Sequence, residues 1–236
     1  DKIFFWFSPL GKTVTPGLYF CPGYDTPMFL AYAATIPALG IFFLSLETSF
    51  YESYREFYGA IEQRLPLRII VRRQAEIKRT LRHANQEIVR VQGIITILIF
   101  VFAPEILAWS GYGTELTTTL RWGVWGGFFQ VLFLFASLSL FYFDFPRDAL
   151  YGSAAFFLLN GLGAVLTAWL PFPGWHGAGY LLATIGAFVV TIRGLRSRLK
   201  DLVYLTFMRH PFPGERAAES GVLGTDGRLG EIVLLR

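Results

Sequence analysis

Apolar residues in this chain fall in long uncharged blocks, with the charged residues crowded between them. Phe29 to Leu46 carries no charge and is interrupted only by Pro37, and Trp122 to Phe143 ends in "VLFLFASLSLFYF". Val91 to Trp109 contains a single acid, Glu105, following Pro104. Ala149 to Ile192 has no Asp, Glu, Lys or Arg and is too long for one span, but "LPFPGWHG" at 170 to 177 supplies prolines and glycines for a turn. A bilayer core is about 30 Å thick and takes roughly 20 apolar residues as a helix, because unpaired peptide groups are too costly in hydrocarbon. The pattern therefore predicts an all-α, polytopic transmembrane helix bundle. Its spans are expected at 1–9 (partial), 27–49, 91–110, 121–143, 149–170 and 176–193.

Two charged segments show helical periodicity. Phe50, Tyr54, Phe57, Tyr58 and Ile61 form an apolar stripe, with Glu52, Arg55, Glu56 and Glu62 elsewhere. This predicts an amphipathic helix over 50–63 that continues the preceding span without a turn. After Pro66, "IIVRRQAEIKRTLRHANQEIVRVQ" predicts a second helix over 67–90 with a basic, heptad-like mix. Lys and Arg concentrate at 64–90 and in "RGLRSRLK" at 193–200. Basic loops stay on the cytoplasmic side, so 50–90 and 194–236 are expected to be cytoplasmic, and the loops around 10–25, 110–120 and 170–177 outside. Residues 1–208 read as one transmembrane lobe and 209–236 as a mobile tail rich in Gly and charge.

Composition agrees with this reading. The chain is 53% hydrophobic and 16% charged with 24 Phe, a poor match to a soluble surface. The net charge of +4 then bears on topology, and no nucleic-acid partner is expected. One cysteine and three scattered histidines offer neither a disulfide nor metal-ligand spacing. There is no P-loop, nucleophile elbow or paired carboxylate motif, so no catalytic residue, metal or cofactor is expected. The chain opens at Asp1 without Met and is expected to be a piece of a longer protein.

Four stretches occur in an order that resembles one family. They are "DKIFFWF" at the start, "YDTPMFLAYAATIPALGIFFLSLETSFYESYREFYGAI" at 24–61, "LSLFYFDFPRDAL" at 138–150 and "RLKDLVYLTFM" at 198–208. They are similar to landmarks of the PelG exopolysaccharide exporters, within the polysaccharide and multidrug flippase superfamily, with "LETSFYESYREFY" the most specific. The resemblance implies a C-terminal half whose N-terminal lobe is missing here, and the tail after His210 departs from the family pattern. It implies export of a galactosamine-rich Pel polysaccharide across a bacterial inner membrane, by alternating access or through a glycan channel between two lobes. Implied partners are the polysaccharide, membrane lipid, the missing lobe, a cytoplasmic glycosyltransferase and a cyclic di-GMP-sensing membrane subunit. The alternatives are a scaffold that recruits the glycosyltransferase, or a flippase for lipid-linked oligosaccharides or drugs.

Polar groups inside a membrane are the first functional candidates, since a charge at mid-bilayer costs about 2.5 to 3.5 kcal/mol on insertion scales. For a transport path the candidates are Asp1, Lys2, Tyr24, Asp25, Glu47, Gln130 and Asn160. Asp1 and Lys2 would line a hydrated path or pair between helices. Glu47 would face a cavity mouth or partner a basic residue, and Gln130 and Asn160 would bond across helices or to sugar hydroxyls. Trp6, Tyr19, Tyr24, Tyr32, Trp122 and Trp125 suit either sugar stacking or an interfacial belt. Pro37 removes a backbone hydrogen bond and would kink or hinge its span. For docking to lipid or a partner the candidates are Phe50, Tyr54, Phe57, Tyr58, Arg72, Arg73, Arg79 and Arg82. Gly123 and Gly127 have GxxxG spacing, which permits close helix contact.

Overall fold

The computed structural model describes residues 1–169 and 174–209, with the backbone alone at Leu46, Glu47, Thr206, Met208 and Arg209. The first unit, Asp1–Lys200, is an all-α bundle with one small hairpin. It opens with α1 (Lys2–Trp6), strands β1 (Lys12–Thr15) and β2 (Leu18–Phe20), and α2 (Pro22–Ala33). α3 (Ile36–Ser45) runs through a π-helical turn, Leu46–Phe50, into α4 (Tyr51–Glu62). α5 (Leu67–Val101) and α6 (Ala103–Trp109) follow, and a short 3-10 turn leads into α7 (Thr117–Tyr142), α8 (Pro146–Trp169) and α9 (Ala178–Lys200). A second unit begins at Asp201, and its described part is α10 (Leu202–Arg209). Most of the tail expected over 209–236 lies outside the described residues.

Among the described residues, five helical segments are long and apolar enough to cross a membrane: Pro22–Glu62, Leu67–Val101, Thr114–Tyr142, Pro146–Trp169 and Ala178–Lys200. The partial span expected over 1–9 is a five-residue helix, α1, capped at its start by the Asp1 carboxylate, which accepts from Lys2 N at 2.7 Å. Residues 12–20, expected as loop, instead pair as an antiparallel ribbon turned at Gly17, whose φ of +88° only glycine adopts without strain.

α5 joins what the sequence divides. The helix expected at 67–90 and the span expected at 91–110 form one 35-residue rod, roughly 50 Å long against a hydrocarbon core of about 30 Å. One end must therefore project beyond the bilayer. A buried stripe holds the rod together: Ile70, Gln74, Ile77, Leu81, Ala84 and Ile88 alternate in steps of four and three, and Gln92 and Thr96 continue it. The helix breaks at Phe102, and Pro104 sits in the first turn of α6, where a missing N–H costs nothing.

The 42–61 seam is continuous helix, as the absence of Pro and of any Gly before Gly59 predicts, but it passes through the π-helical turn. Thr48 Oγ1 donates to Leu44 O at 2.8 Å and Ser53 Oγ to Ser49 O at 3.0 Å, so hydroxyls satisfy carbonyls where the regular ladder shifts. Upstream, the helix is interrupted at Ala34–Thr35, one turn before Pro37, rather than at Pro37 itself. The reason is covalent: Pro37 has no N–H to offer Ala33 O, so α2 ends and Pro37 becomes a first-turn residue of α3. Thr35 Oγ1 closes the break by donating to Tyr32 O at 2.7 Å. Pro37→Ala should restore the missing bond and merge α2 with α3. The merger is read as slower amide exchange over 33–38, and unchanged exchange would show that packing, not Pro37, holds the break open.

α7 is the central helix, touching α2, α5, α8 and α9. Small residues permit this. A side chain at Gly123 would stand 2.8 Å from Met28 Sδ, and one at Gly127 2.9 Å from Thr35 Cγ2, so the GxxxG face of α7 seats α2. Gly163 and Gly179 bring α8 and α9 into backbone contact. At the other end of this pair, Arg198 in the last turn of α9 donates to Asp148 in the first turn of α8 at 2.9 Å, with its guanidinium 5.5 Å from the Phe145 ring centroid. Both charges also suit the dipoles of their helices. Gln74 Nε2 donates to Leu199 O at 3.0 Å and so caps α9 from the basic stretch of α5.

Candidate functional site

Four of the path candidates meet where α1 lies against α2. Asp25, in the first turn of α2, has a buried carboxylate that accepts from Trp6 Nε1 at 2.9 Å and Cys21 N at 2.8 Å. Its other oxygen faces Lys2 Nζ at 3.8 Å. Lys2 also stands 5.8 Å from the Tyr32 ring centroid, and the Tyr24 hydroxyl donates to the Asp1 carboxylate. Below them, Tyr24 stacks on Phe5 at 3.9 Å and Tyr32 meets Tyr180 edge-on at 5.6 Å. The Asp1 and Lys2 side chains thus both reach residues of α2, although the Asp1 carboxylate also caps the Lys2 N–H. Lys2 keeps 38% of its side chain exposed, so one face of the cluster is open.

Trp6 and Tyr180 take places here that sequence reasoning assigned to an interfacial belt or to none. Tyr180 is buried, with a hydroxyl that finds no partner among the described residues, and its ring occupies the space a side chain at Gly126 would need. No local pattern joins Gly126 to Tyr180, because the two helices meet only in the folded bundle. Beside the cluster, a cavity of about 170 Å³ is bounded by Lys12, Cys21, Tyr24 and His176. Burial lowers the His176 imidazole below the usual histidine pKa, which favours its neutral form beside the Lys12 ammonium.

Gln130 and Asn160 lie elsewhere, on α7 and α8. Neither side-chain oxygen has a hydrogen-bond partner among the described residues, and both are shielded from solvent. Gln92 and Thr96 resemble them. Both are fully buried on α5 with unpaired side-chain polar atoms, and both were overlooked because the span was read from about Val91 by its apolar content. Their signal was the phase of the stripe, since positions 92 and 96 extend the buried face from Ile88. The Glu47 side chain lies outside the described residues, and its role is untouched by the structure.

The docking candidates divide. Phe50 and Phe57 are buried inside the chain, at 1% and 0% exposure, and cannot meet lipid or a partner. Phe50 packs edge-on against Tyr142 at 5.1 Å and Phe143 at 5.8 Å, so the stripe fastens α4 to the end of α7. Tyr54 and Tyr58 are half-buried, with ring centroids 4.5 Å apart. Arg73 is bound by Glu56 and Glu76 at 2.7 Å each, tying α4 to α5, and Arg72 lies 3.5 Å from Glu76. Arg72, Arg79 and Arg82 are exposed.

Residues 1–207 match the PelG family, described as "Putative exopolysaccharide Exporter (EPS-E)". No curated protein and no solved structure matches the chain. The match takes in all five membrane-length segments and the Asp1–Lys2–Asp25 corner, and the chain belongs to the PelG family of exopolysaccharide exporters.

Proposed function

We propose that this chain is one lobe of an inner-membrane transporter that moves a Pel-type, galactosamine-rich polysaccharide from cytoplasm to periplasm. The observation that carries this reading is the family match, which spans all five membrane-length segments. On this reading the basic ends of α5 and α9 lie in the cytoplasm, and the glycan passes between this lobe and an N-terminal one. The interruption at Ala34–Thr35 is where α3 would tilt against α2 during transport. The polar oxygens of Gln130 and Asn160, without a hydrogen-bond partner among the described residues, suit a hydroxyl-rich substrate.

The scaffold reading draws on a different observation, the exposed Arg72, Arg79 and Arg82 on the projecting part of α5. A basic face there suits a cytoplasmic glycosyltransferase, with a cyclic di-GMP-sensing membrane subunit completing the assembly. One experiment separates the two. In cells that depend on the full-length protein, Gln130→Leu with Asn160→Leu should lower secreted polymer severalfold at unchanged protein level, while the glycosyltransferase stays membrane-bound. Normal secretion from that variant would assign both residues to packing. Loss of secretion together with release of the glycosyltransferase after Arg72, Arg79 and Arg82 are changed to Gln would favour the scaffold.

A further inference from the structure

α4 doubles back onto α5 through a tight turn. Arg64 takes the left-handed conformation, with φ of +53°, and Leu65 N donates to Ala60 O at 3.0 Å. Between the two helices the hairpin leaves a cavity of about 550 Å³, within the range of about 300–1,000 Å³ for small-molecule sites. Tyr51, Tyr54 and Tyr58 line it from α4, with Glu62 and Gln63 at the turn and Arg73 on α5. The tyrosines recur in steps of three and four and so share one face of α4. That face borders the stripe that buries Phe50 and Phe57 and shares Tyr54 and Tyr58 with it, while Tyr51 lies outside the stripe. Tyr51 keeps 54% of its surface exposed, so its ring is not consumed by packing.

We propose that this cavity binds carbohydrate, a short stretch of the polysaccharide held at the cytoplasmic mouth before it enters the membrane. The chemistry of the walls selects the ligand. A pyranose ring presents a flat C–H face, which stacks on an aromatic ring, and a rim of hydroxyls, which pair with carboxylate, amide and guanidinium groups. All of these are on the lining: tyrosine faces, Glu62, Gln63 and arginine. An anion is less well served, because the Arg73 guanidinium is already neutralised by Glu56 and Glu76 at 2.7 Å each. Arg55 and Glu62 also stand on the lining, so its four charged side chains, with Arg73 and Glu56, are equal in sign count. A phosphate headgroup would meet two carboxylates there, whereas an uncharged or amino sugar would find acceptors. The cavity site is thus a loading site, and its identification with the exported polymer rests on the transporter reading above.

The test uses the full-length protein in nanodiscs and a galactosamine-rich oligosaccharide, followed by saturation-transfer NMR and titration. Saturation should pass from tyrosine ring protons to the sugar. Tyr51→Ala should weaken binding about tenfold, Tyr51→Phe should bind as the unaltered protein does, and Glu62→Gln should weaken it with the ring contact kept. Tyr51 is exposed, so these variants are expected to keep the melting temperature of the parent. Absence of sugar saturation, or equal affinity in Tyr51→Ala, overturns the proposal. So does an outcome in which the substitutions leave sugar binding alone but weaken adsorption to phosphatidylglycerol vesicles, which would make the cavity a lipid contact. Secretion is measured in parallel. If removing the protein abolishes secretion while Tyr51→Ala leaves both binding and secretion intact, only the cavity proposal fails. If removing the protein leaves secretion unchanged, the transporter reading fails, and the binding data alone decide the cavity.

Discussion

Asp25→Ala is expected to loosen the corner between α1 and α2 at a cost near the lower end of the about 3–5 kcal/mol that follows breaking a buried ion pair. The substitution removes the acceptor of Trp6 Nε1 and Cys21 N and leaves the Lys2 ammonium without its carboxylate. The lower end applies because Lys2 is 38% exposed and can turn toward water, whereas Asp25 is 8% exposed and cannot. Melting of the detergent-purified protein measures the loss, and Lys2→Ala with Asp25→Ala separates its parts. The double variant should recover part of the stability, since no unpaired charge remains. Equal losses in the single and double variants would place the whole effect in the indole and backbone hydrogen bonds, and the ion pair would contribute nothing.

Gly163→Val is expected to push α8 and α9 apart. A Cβ at Gly163 would stand 2.6 Å from Gly179 Cα, a backbone atom that cannot rotate away. Overpacking costs about 1–3 kcal/mol where side chains can yield, so this site should lie at or beyond the upper figure. Gly161 is the internal control. It is on the same helix two residues earlier, and a Cβ there meets only Phe4 Cε2, at 3.9 Å, an ordinary contact. Gly161→Ala should leave the melting temperature unchanged or raise it slightly, because alanine is the better helix former. If Gly163→Val melts with Gly161→Ala, the close approach of α8 and α9 does not hold the lobe together.

Both predictions concern contacts that join distant parts of the chain, and these were the least legible in the sequence. A membrane span announces itself in one dimension, because roughly 20 consecutive residues must satisfy the same solvent. Hence the helices α7, α8 and α9 and the uninterrupted seam at 42–61 could be read directly. The amphipathic stripe through Phe50 and Phe57 was legible as a stripe, but its partner was not. Periodicity says that a face must be covered and is silent on whether lipid, another protein or the end of α7 covers it. The continuity of α5 was missed for a related reason. A change from charged to apolar composition at Val91 looks like a boundary, whereas the backbone ladder depends only on there being no Pro between Leu67 and Val101.

What the sequence by itself determined is the solvent of each segment: which stretches must sit in hydrocarbon, which end carries the positive charge, and that Pro37 must interrupt its helix. Those follow from transfer energies and covalent geometry, which are properties of the residues in order. Only the tertiary structure decided that Asp25 takes Trp6 and Lys2 as partners, that Gly126 makes room for Tyr180, and that Tyr51, Tyr54 and Tyr58 border a cavity while Phe50 and Phe57 are buried. The physical reason is the same in each case. Hydrogen bonds, ion pairs and van der Waals contacts reach only a few ångströms, so their partners are set by which helices pack together and at what distance.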